Sequence, residues 1–459
     1  MTYGQHLRAI LVLGLPLIGS HLAQFAVHMV DTIMLGWYGV TELAASVLAT
    51  SVFFVIFIMG SGFAFAVMSM VAEAAEQGDQ TRIRRVTRMG LWLSVIYAAV
   101  FLPLMIWSAP LLRILGQTEE LSLLAQDYLA IAGFGLFPSL MVMVLKSYLA
   151  AMERTQVVLW VTVAAIFVNS VLNWVLIFGN LGAPELGLQG AALASVLTQV
   201  ATLLALAFYP TRVPELREHV LFQRIWRTDG PVMRDVFRLG WPIGLTNLAE
   251  SGMFSASAFI IGLIGKLPLA AHGIALQIAS ATFMVHLGLS QAATVRAGRA
   301  KGRRDRDGLG RGALAVVFLS GAMVALTIAL FLGLPEPLLS VFLSPDEPNR
   351  AAIIAIGITL LAVAGLFQLV DAGQVMALGV LRGIQDTQVP MYMAAFSYWI
   401  MGIPASYLLG ITWGWGAVGV WMGLVIGLLF AAILLWWRFL RLFRAMPAEH
   451  AKPQEFGNI

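Results

Sequence analysis

Twelve long apolar segments occupy most of this sequence and constrain its fold more than any other feature. Each segment is long enough to cross about 30 Å of hydrocarbon as a helix that rises about 1.5 Å per residue. Charged residues make up only 11% of the 459 residues, which is too little polar surface to cover a water-facing globule of this size. The pattern predicts an all-α polytopic membrane protein with twelve transmembrane helices. The segments lie at residues 9–35, 44–72, 89–112, 121–148, 156–178, 188–209, 238–264, 270–294, 312–334, 351–380, 389–411 and 416–437.

Basic residues are distributed unevenly between the connections. The connections after the second, sixth and eighth segments, counted with Arg238 at the start of the seventh, hold seventeen lysines and arginines, and those after odd-numbered segments hold three. Because lysine and arginine in short loops stay in the cytoplasm, both termini are predicted to be cytoplasmic. The run GRRDRDG at 302–308 is basic enough for a nucleic-acid patch. Its position at the foot of a span favours the topological explanation, so we expect no nucleic-acid partner.

The two halves of the chain resemble each other. A shift of 226 residues lays PLIGSHLAQ, which begins at Pro16, on PIGLTNLAE, which begins at Pro242, and a shift of 232 pairs two TQV triplets. Six spans per half give both halves one orientation, so the repeat is parallel and predicts two lobes around a central cavity. The predicted parts are an N-terminal lobe at 1–209, a cytoplasmic linker at 210–237, a C-terminal lobe at 238–444 and a tail at 445–459.

The two prolines at matching repeat positions, Pro16 and Pro242, are candidate helix hinges. A proline inside a helix frees a backbone carbonyl and can kink the helix. For Pro242, a conventional place in the first helical turn is the alternative.

Three carboxylates lie well inside the spans: Asp31, Glu250 and Asp371. Each costs about 2.5–3.5 kcal/mol on insertion scales, so such acids usually face a bundle interior or a water-filled path. Helix-to-helix hydrogen bonding is the alternative role, but amides would provide it at a lower insertion cost. A carboxylate adds a charge that can be neutralised, as ion coupling requires. We therefore predict that the three acids bind a coupling ion or a cationic ligand.

Each acid has polar neighbours at helical spacing, and these are candidates for the substrate cavity. Asn169 and Asn173 share one face of the fifth span and are candidate partners for Asp31, with helix-to-helix hydrogen bonding as the alternative. His272 and Gln277, near the start of the eighth span, are expected to border the second-half site. His21 and His286 have no acid on their faces and are expected to be structural. The remaining candidates are Gln24, His28, Asn247, Gln368 and Gln374.

The motifs VDTIMLG with Asp31, LTNLAE with Glu250 and QLVDAGQVMALGVLRGIQDTQVP with Asp371 closely resemble those of multidrug and toxic compound extrusion transporters, in particular their NorM branch. The resemblance covers essentially the whole chain. It implies a two-lobed transporter of the cell (inner) membrane that exchanges Na+ or H+ for organic, often cationic, drugs. It also implies that Glu250 and Asp371 form a cation site, a candidate for Na+, and that Asp31 lies in the first-lobe cavity near Asn169 and Asn173.

One departure from the pattern is Phe367, where some relatives have a tyrosine one turn before the acid. The phenylalanine removes a hydroxyl oxygen ligand and weakens the case for Na+. The sequence leaves the coupling ion, the substrates and the oligomeric state open, although a monomer is expected. No cofactor is expected beyond the coupling ion.

Other classes of membrane protein fit less well. The chain has no G-x-x-x-x-G-K-[ST] stretch for an ATP-driven pump and no H-E-x-x-H zinc motif. A membrane enzyme that uses a diphosphate substrate would cluster its acids at the ends of spans, whereas the three acids of this chain lie well inside the spans. No enzymatic activity is therefore expected. The main alternative is a lipid or oligosaccharide-lipid flippase, which would favour several cationic residues in the cavity. Lys146 is nearly the only basic residue embedded in the predicted spans. This scarcity of embedded positive charge favours organic cations as ligands.

Overall fold

The computed structural model describes residues 2–447, which form an almost entirely helical chain. Twelve of its helices are long and apolar enough to cross a membrane, and all twelve predicted spans are confirmed. We number them α1 Tyr3–Tyr38, α2 Val40–Glu76, α3 Gln80–Ile106, α4 Glu119–Ala151, α5 Thr155–Phe178, α6 Gly187–Arg212, α7 Gly230–Ile264, α8 Lys266–Arg303, α9 Arg306–Gly333, α10 Arg350–Gly383, α11 Gln388–Thr412 and α12 Gly416–Ala445. The part of the predicted tail beyond residue 447 lies outside the described residues.

Several helices end well away from the predicted boundaries. Hydrophobicity shows which residues cross the membrane, whereas capping residues determine where a helix begins and ends. The helix α8 continues through the arginine run that was predicted to be a loop, and ends where Arg304 adopts a left-handed conformation with φ of 58°. The next helix begins at once, because the side chain of Asp305 accepts a hydrogen bond from the Gly308 amide at 2.6 Å. The predicted third span was wrong at its end: α3 stops at Ile106, and a separate short helix, Ala109–Ile114, follows.

The described chain divides into two compact units, one made of residues 19–248 and the other of residues 2–18 with 249–447. Both units use the same packing pattern. In the first, α4 packs against α2, α3 and α6, and α5 packs against α6. In the second, α10 packs against α8, α9 and α12, and α11 packs against α12. Adding six to each helix number converts one pattern into the other, so the predicted six-helix repeat is confirmed. The predicted lobe boundaries stay a prediction.

Close backbone contacts repeat at the same offset of 226 residues. A Cβ atom added to Gly62 of α2 would lie 2.5 Å from the backbone nitrogen of Gly244 in α7. At the matching place in the other unit, a Cβ atom added to Gly288 of α8 would lie 2.8 Å from the backbone nitrogen of Ile18 in α1. The first helix of each half therefore packs its N-terminal part against the second helix of the other half.

Both repeat-matched prolines lie inside helices. Pro16 lies within α1, and Pro242 lies in α7, which begins at Gly230, so Pro242 is not in the first turn. The hydroxyl of Thr246 donates a hydrogen bond to the Pro242 carbonyl at 2.8 Å. The structure gives both prolines the interior position that a hinge requires, and hinge motion stays a prediction.

The linker, residues 213–229 between α6 and α7, is attached to its own unit along its length. The indole of Trp92 donates to the Ile225 carbonyl at 2.7 Å, and the phenol of Tyr148 hydrogen-bonds Nδ1 of His219 at 2.6 Å. At its end, Asp229 forms an ion pair with Arg85, whose hydrogen bond holds the pKa of that carboxyl below its ordinary value. The linker is thus a docked part of the fold.

Linker docking should weaken in mild acid because of His219. Burial lowers the pKa of this imidazole below its ordinary value of 6.5. The nearby Glu218 carboxylate opposes this shift only in part. A released linker binds the proton more readily than the docked one, so docking is fully stable above about pH 6.5 and weakens as the pH falls below it. We expect backbone amides of 213–229 to exchange hydrogen faster at about pH 5.5 than at about pH 7.5, after correction for intrinsic exchange rates. The His219→Gln variant should lose this dependence, and an unchanged dependence would contradict the assignment.

Candidate functional site

The second-half carboxylates are joined through one amide. Gln374 of α10 donates from Nε2 to Oε1 of Glu250 in α7 at 2.8 Å and to Oδ1 of Asp371 at 3.3 Å. Asp371 is 1% exposed, and Gln374 is completely buried. A one-turn spacing on α10 places Asp371 and Gln374 on the same face, toward α7. The structure therefore brings Glu250 and Asp371 into one polar cluster.

Tyr398 completes this cluster and was missed from the sequence. Its hydroxyl donates to the Oε1 atom of Gln374 at 2.6 Å, and the residue is fully buried. Because the amide oxygen accepts from the phenol, the NH2 group of Gln374 faces the carboxylates. Tyr398 lies in a π-helical segment of α11, Phe396–Gly402, and such wide turns are frequent at functional sites. A lone tyrosine among aromatic residues gave no sequence signal for this role.

Two of the other second-half candidates, Gln368 and Gln277, do not hydrogen-bond either carboxylate in the described part of the chain. Gln368 is buried, and its amide donates to the Ala279 carbonyl at 3.0 Å and to the Thr282 hydroxyl at 2.6 Å, both on α8. It therefore links α10 to α8. Gln277 of α8 is half-buried and makes no hydrogen bond to either acid within residues 2–447. Asn247 is half-buried on α7, three residues before Glu250.

An aromatic cluster holds His272 and Phe367. The indole of Trp421 donates to Nδ1 of His272 at 3.1 Å, and both side chains are buried. The Phe367 ring packs edge-to-face on Trp421, with centroids 5.4 Å apart, and on Phe254 at 5.9 Å. Phe367 thus fills apolar space one turn from Asp371.

The first-half carboxylate has its own cluster in the other unit. Asn173 of α5 donates to Oδ1 of Asp31 at 2.6 Å, and Ser195 of α6 donates to Oδ2 at 3.1 Å. The Nδ2 atom of Asn173 also lies 3.0 Å from the Asn169 side-chain oxygen, which accepts from it. Three helices therefore meet at Asp31. The sequence predicted both asparagines, but Ser195 was missed because a single serine in an apolar span is common.

The remaining first-half candidates, Gln24 and His28, share the α1 face of Asp31. Gln24 is half-buried and His28 is exposed. In the described part of the chain, neither side chain hydrogen-bonds the carboxylate. Lys146 is half-buried on α4.

Each unit thus places carboxylate oxygens beside amide and hydroxyl donors. In the second unit, the buried guanidinium of Arg382 also interacts electrostatically with Glu250. Amide and hydroxyl groups can donate hydrogen bonds to a charged carboxylate. Amide and phenol oxygens can ligate a bound cation or accept a hydrogen bond from a protonated carboxyl group. Such sites can change charge without losing all their partners. Buried carboxylates inside each of two repeated helical units are typical of membrane transporters.

The chain belongs to the MatE family, as the motif resemblance predicted. The family model matches residues 16–175 and 242–408, once in each half and starting at the repeat-matched prolines. The chain is 45% identical over 450 residues to a probable multidrug resistance protein NorM of Rhizobium meliloti (strain 1021), covering 98% of this chain and 96% of that protein. It is 42% identical over 443 residues to a protein of the same name from Agrobacterium fabrum, covering 96% and 95%.

Solved structures share the fold. The eukaryotic MATE transporter AtDTX14 is 18% identical, with a TM-score of 0.86 over 97% of this chain and 98% of that one. A multidrug resistance MATE family transporter in an outward-facing conformation is 23% identical, with a TM-score of 0.85 over 98% and 99%.

Proposed function

We propose that this protein is a secondary active multidrug exporter, which moves organic, often cationic, compounds out of the cell in exchange for Na+ or H+. The observation that carries the proposal is the cluster of Glu250 and Asp371 around Gln374. Full-length similarity to proteins named for multidrug resistance supports the substrate class. The proposal places the protein in the cell (inner) membrane as a monomer with cytoplasmic termini, without catalytic or nucleic-acid function.

The mechanism follows from competition for the carboxylates. A cationic drug is attracted to Asp31, Glu250 or Asp371 when the acids are charged, because attraction is strong where water is excluded. A proton or Na+ that reaches the same acids from outside neutralises them and favours release of the drug. An ion shifts a conformational equilibrium only through its differential affinity for the two states. The carboxylates supply that difference, with Pro16 and Pro242 as hinges.

The proposal leaves both coupling ions open. Na+ prefers several oxygen ligands, which Glu250, Asp371 and the Gln374 oxygen could supply after a rotation of the amide. A proton needs a single carboxylate. Phe367 contributes no oxygen, and the Tyr398 hydroxyl is engaged by Gln374. These contacts favour H+ over Na+.

Ethidium accumulation in a bacterial strain that lacks its own exporters tests the proposed function. Cells that make the protein should accumulate less ethidium than cells with an empty vector, and a protonophore or removal of external Na+ should abolish the difference. Equal accumulation with the protein present in the membrane would contradict multidrug export. It would favour the flippase alternative, which a fluorescent-lipid translocation assay then tests.

The Gln374→Leu variant should remove the hydrogen-bonded link between Glu250 and Asp371. The matched variant Gln368→Leu should leave this link in place. Each change removes one buried amide from α10 and should cost about 1–3 kcal/mol of stability, because polar partners are left unpaired. Only Gln374 contacts Glu250 and Tyr398. We expect Gln374→Leu alone to alter the dependence of ethidium binding on pH or Na+. An equal change in both variants would contradict a specific role for Gln374.

A further inference from the structure

An open cavity of about 580 Å³ lies where α6 meets the linker. Its volume is in the range of ordinary ligand sites. The buried side chains of Leu216 and Leu221 contribute apolar lining, and Arg212 and Arg217 contribute the positive charge. We call this feature the linker cavity. It lies within one unit and is separate from both carboxylate clusters.

The charge of the linker cavity is positive because the neighbouring acids have other partners. Glu215 pairs with Arg154 of the α4–α5 connection, and Asp229 pairs with Arg85 of α3. Glu218 is exposed and does not line the cavity. Among the described residues, Arg212 and Arg217 form no ion pair. Two guanidinium groups therefore face the cavity without an acidic partner, and they would repel the cationic compounds of the proposed function.

Arg212 also lies at the end of an exposed apolar stripe on α6. Its guanidinium carbon is 4.5 Å from the centroid of the Phe208 ring. Phe208 and Leu204, at four-residue spacing on α6, are 56% and 64% exposed. Side chains at this spacing share one helix face, and long basic side chains at helix ends reach the membrane surface. Arg212 thus connects the linker cavity to an exposed apolar face of α6.

We propose that the linker cavity binds the headgroup of an anionic phospholipid, with the phosphate between Arg212 and Arg217 and an acyl chain on Leu204 and Phe208. Arginine recognises phosphate through paired, charge-assisted hydrogen bonds, and basic pockets at helix ends favour anionic headgroups. Arg212 belongs to α6, and Arg217 belongs to the short linker helix Pro214–Arg217. A bound headgroup therefore joins the linker to the sixth span.

Native mass spectrometry of the full-length protein, titrated with phosphatidylglycerol or phosphatidylcholine of the same acyl chains, tests this site. The wild type should bind phosphatidylglycerol more tightly. The double variant Arg212→Gln, Arg217→Gln should weaken this binding about 25-fold, at about fivefold for each arginine. The matched control Arg224→Gln, Arg227→Gln removes equal charge from linker residues that do not line the cavity, and should weaken it less than about threefold because only diffuse attraction is lost.

Equal weakening in both double variants would overturn the site and leave a general attraction to basic residues. Retained affinity in the cavity variant would also overturn it. Competition with glycerol 3-phosphate tests whether the site instead binds a soluble phosphate compound. Glycerol 3-phosphate should not displace phosphatidylglycerol. Displacement at a comparable concentration would overturn the lipid proposal in favour of a soluble phosphate ligand. If the double variant does not fold, Arg217→Gln alone should still weaken phosphatidylglycerol binding about fivefold.

Discussion

Replacing Glu250 by glutamine is expected to abolish gradient-driven efflux while the folded protein remains in the membrane. Glutamine keeps the shape of the side chain and an oxygen that can accept from Gln374, whose Nε2 atom lies 2.8 Å from the present carboxylate. It removes the charge and the titratable proton. To move a conformational equilibrium from 1:99 to 99:1, an ion must bind one state about 10⁴-fold more tightly. A neutral amide gives a proton no such difference.

Ethidium efflux measured beside membrane abundance and thermal stability checks this expectation. Asp371→Asn should have the same effect, because its carboxylate shares the Gln374 amide with Glu250. Glu336→Gln, on the exposed short helix Pro335–Ser340, is the matched control and should transport like the wild type. Active efflux in Glu250→Gln would remove that residue from the coupling mechanism.

Replacing Gly423 by alanine is expected to destabilise the second unit by at least about 1–3 kcal/mol, the usual cost of overpacking. An added Cβ atom would lie 2.2 Å from the backbone nitrogen of Ser406 in α11. Gly419 and Gly427 make similarly close contacts one turn away on either side. Small residues let membrane helices approach at their backbones. The Ser406 hydroxyl also bonds the Val420 carbonyl at 2.9 Å, so α11 cannot move away without losing this contact.

Gly321→Ala is the matched control, since Gly321 lies inside α9 with no atom within 4 Å of an added Cβ. Alanine is the better helix former, so this variant should be about 0.5–1 kcal/mol more stable than the wild type. Thermal unfolding in detergent measures both changes. The same sign for the two substitutions would contradict the packing of α11 on α12.

The sequence was sufficient to predict the twelve helices because each carries its own hydrophobic signal. It was not sufficient for their ends. The α8 helix runs through Arg303 since nothing stops a helix at the membrane surface until Arg304 turns left-handed and Asp305 caps the next helix. The offset of 226 residues predicted the repeat, and it also relates the contact of Gly62 with Gly244 to that of Gly288 with Ile18.

The site was predicted where polar residues share a helix face and missed where they meet across helices. Asn169 and Asn173 were predicted as partners of Asp31 from their spacing, and they contact it or each other. Ser195 and Tyr398 come from other helices, and only the packing of α6 and α11 brings them to the acids. Spacing also placed Gln368 beside Asp371, but its amide is engaged by α8 instead.

Efflux from proteoliposomes that contain the purified protein tests the central claim most directly. Ethidium is loaded, and an inward proton gradient or an inward Na+ gradient is then imposed separately. The proposed exchange predicts efflux under at least one gradient, which collapses when the gradient is dissipated and is absent in Glu250→Gln. Efflux at the rate of protein-free liposomes under both gradients, from protein shown to be folded, would contradict ion-coupled export.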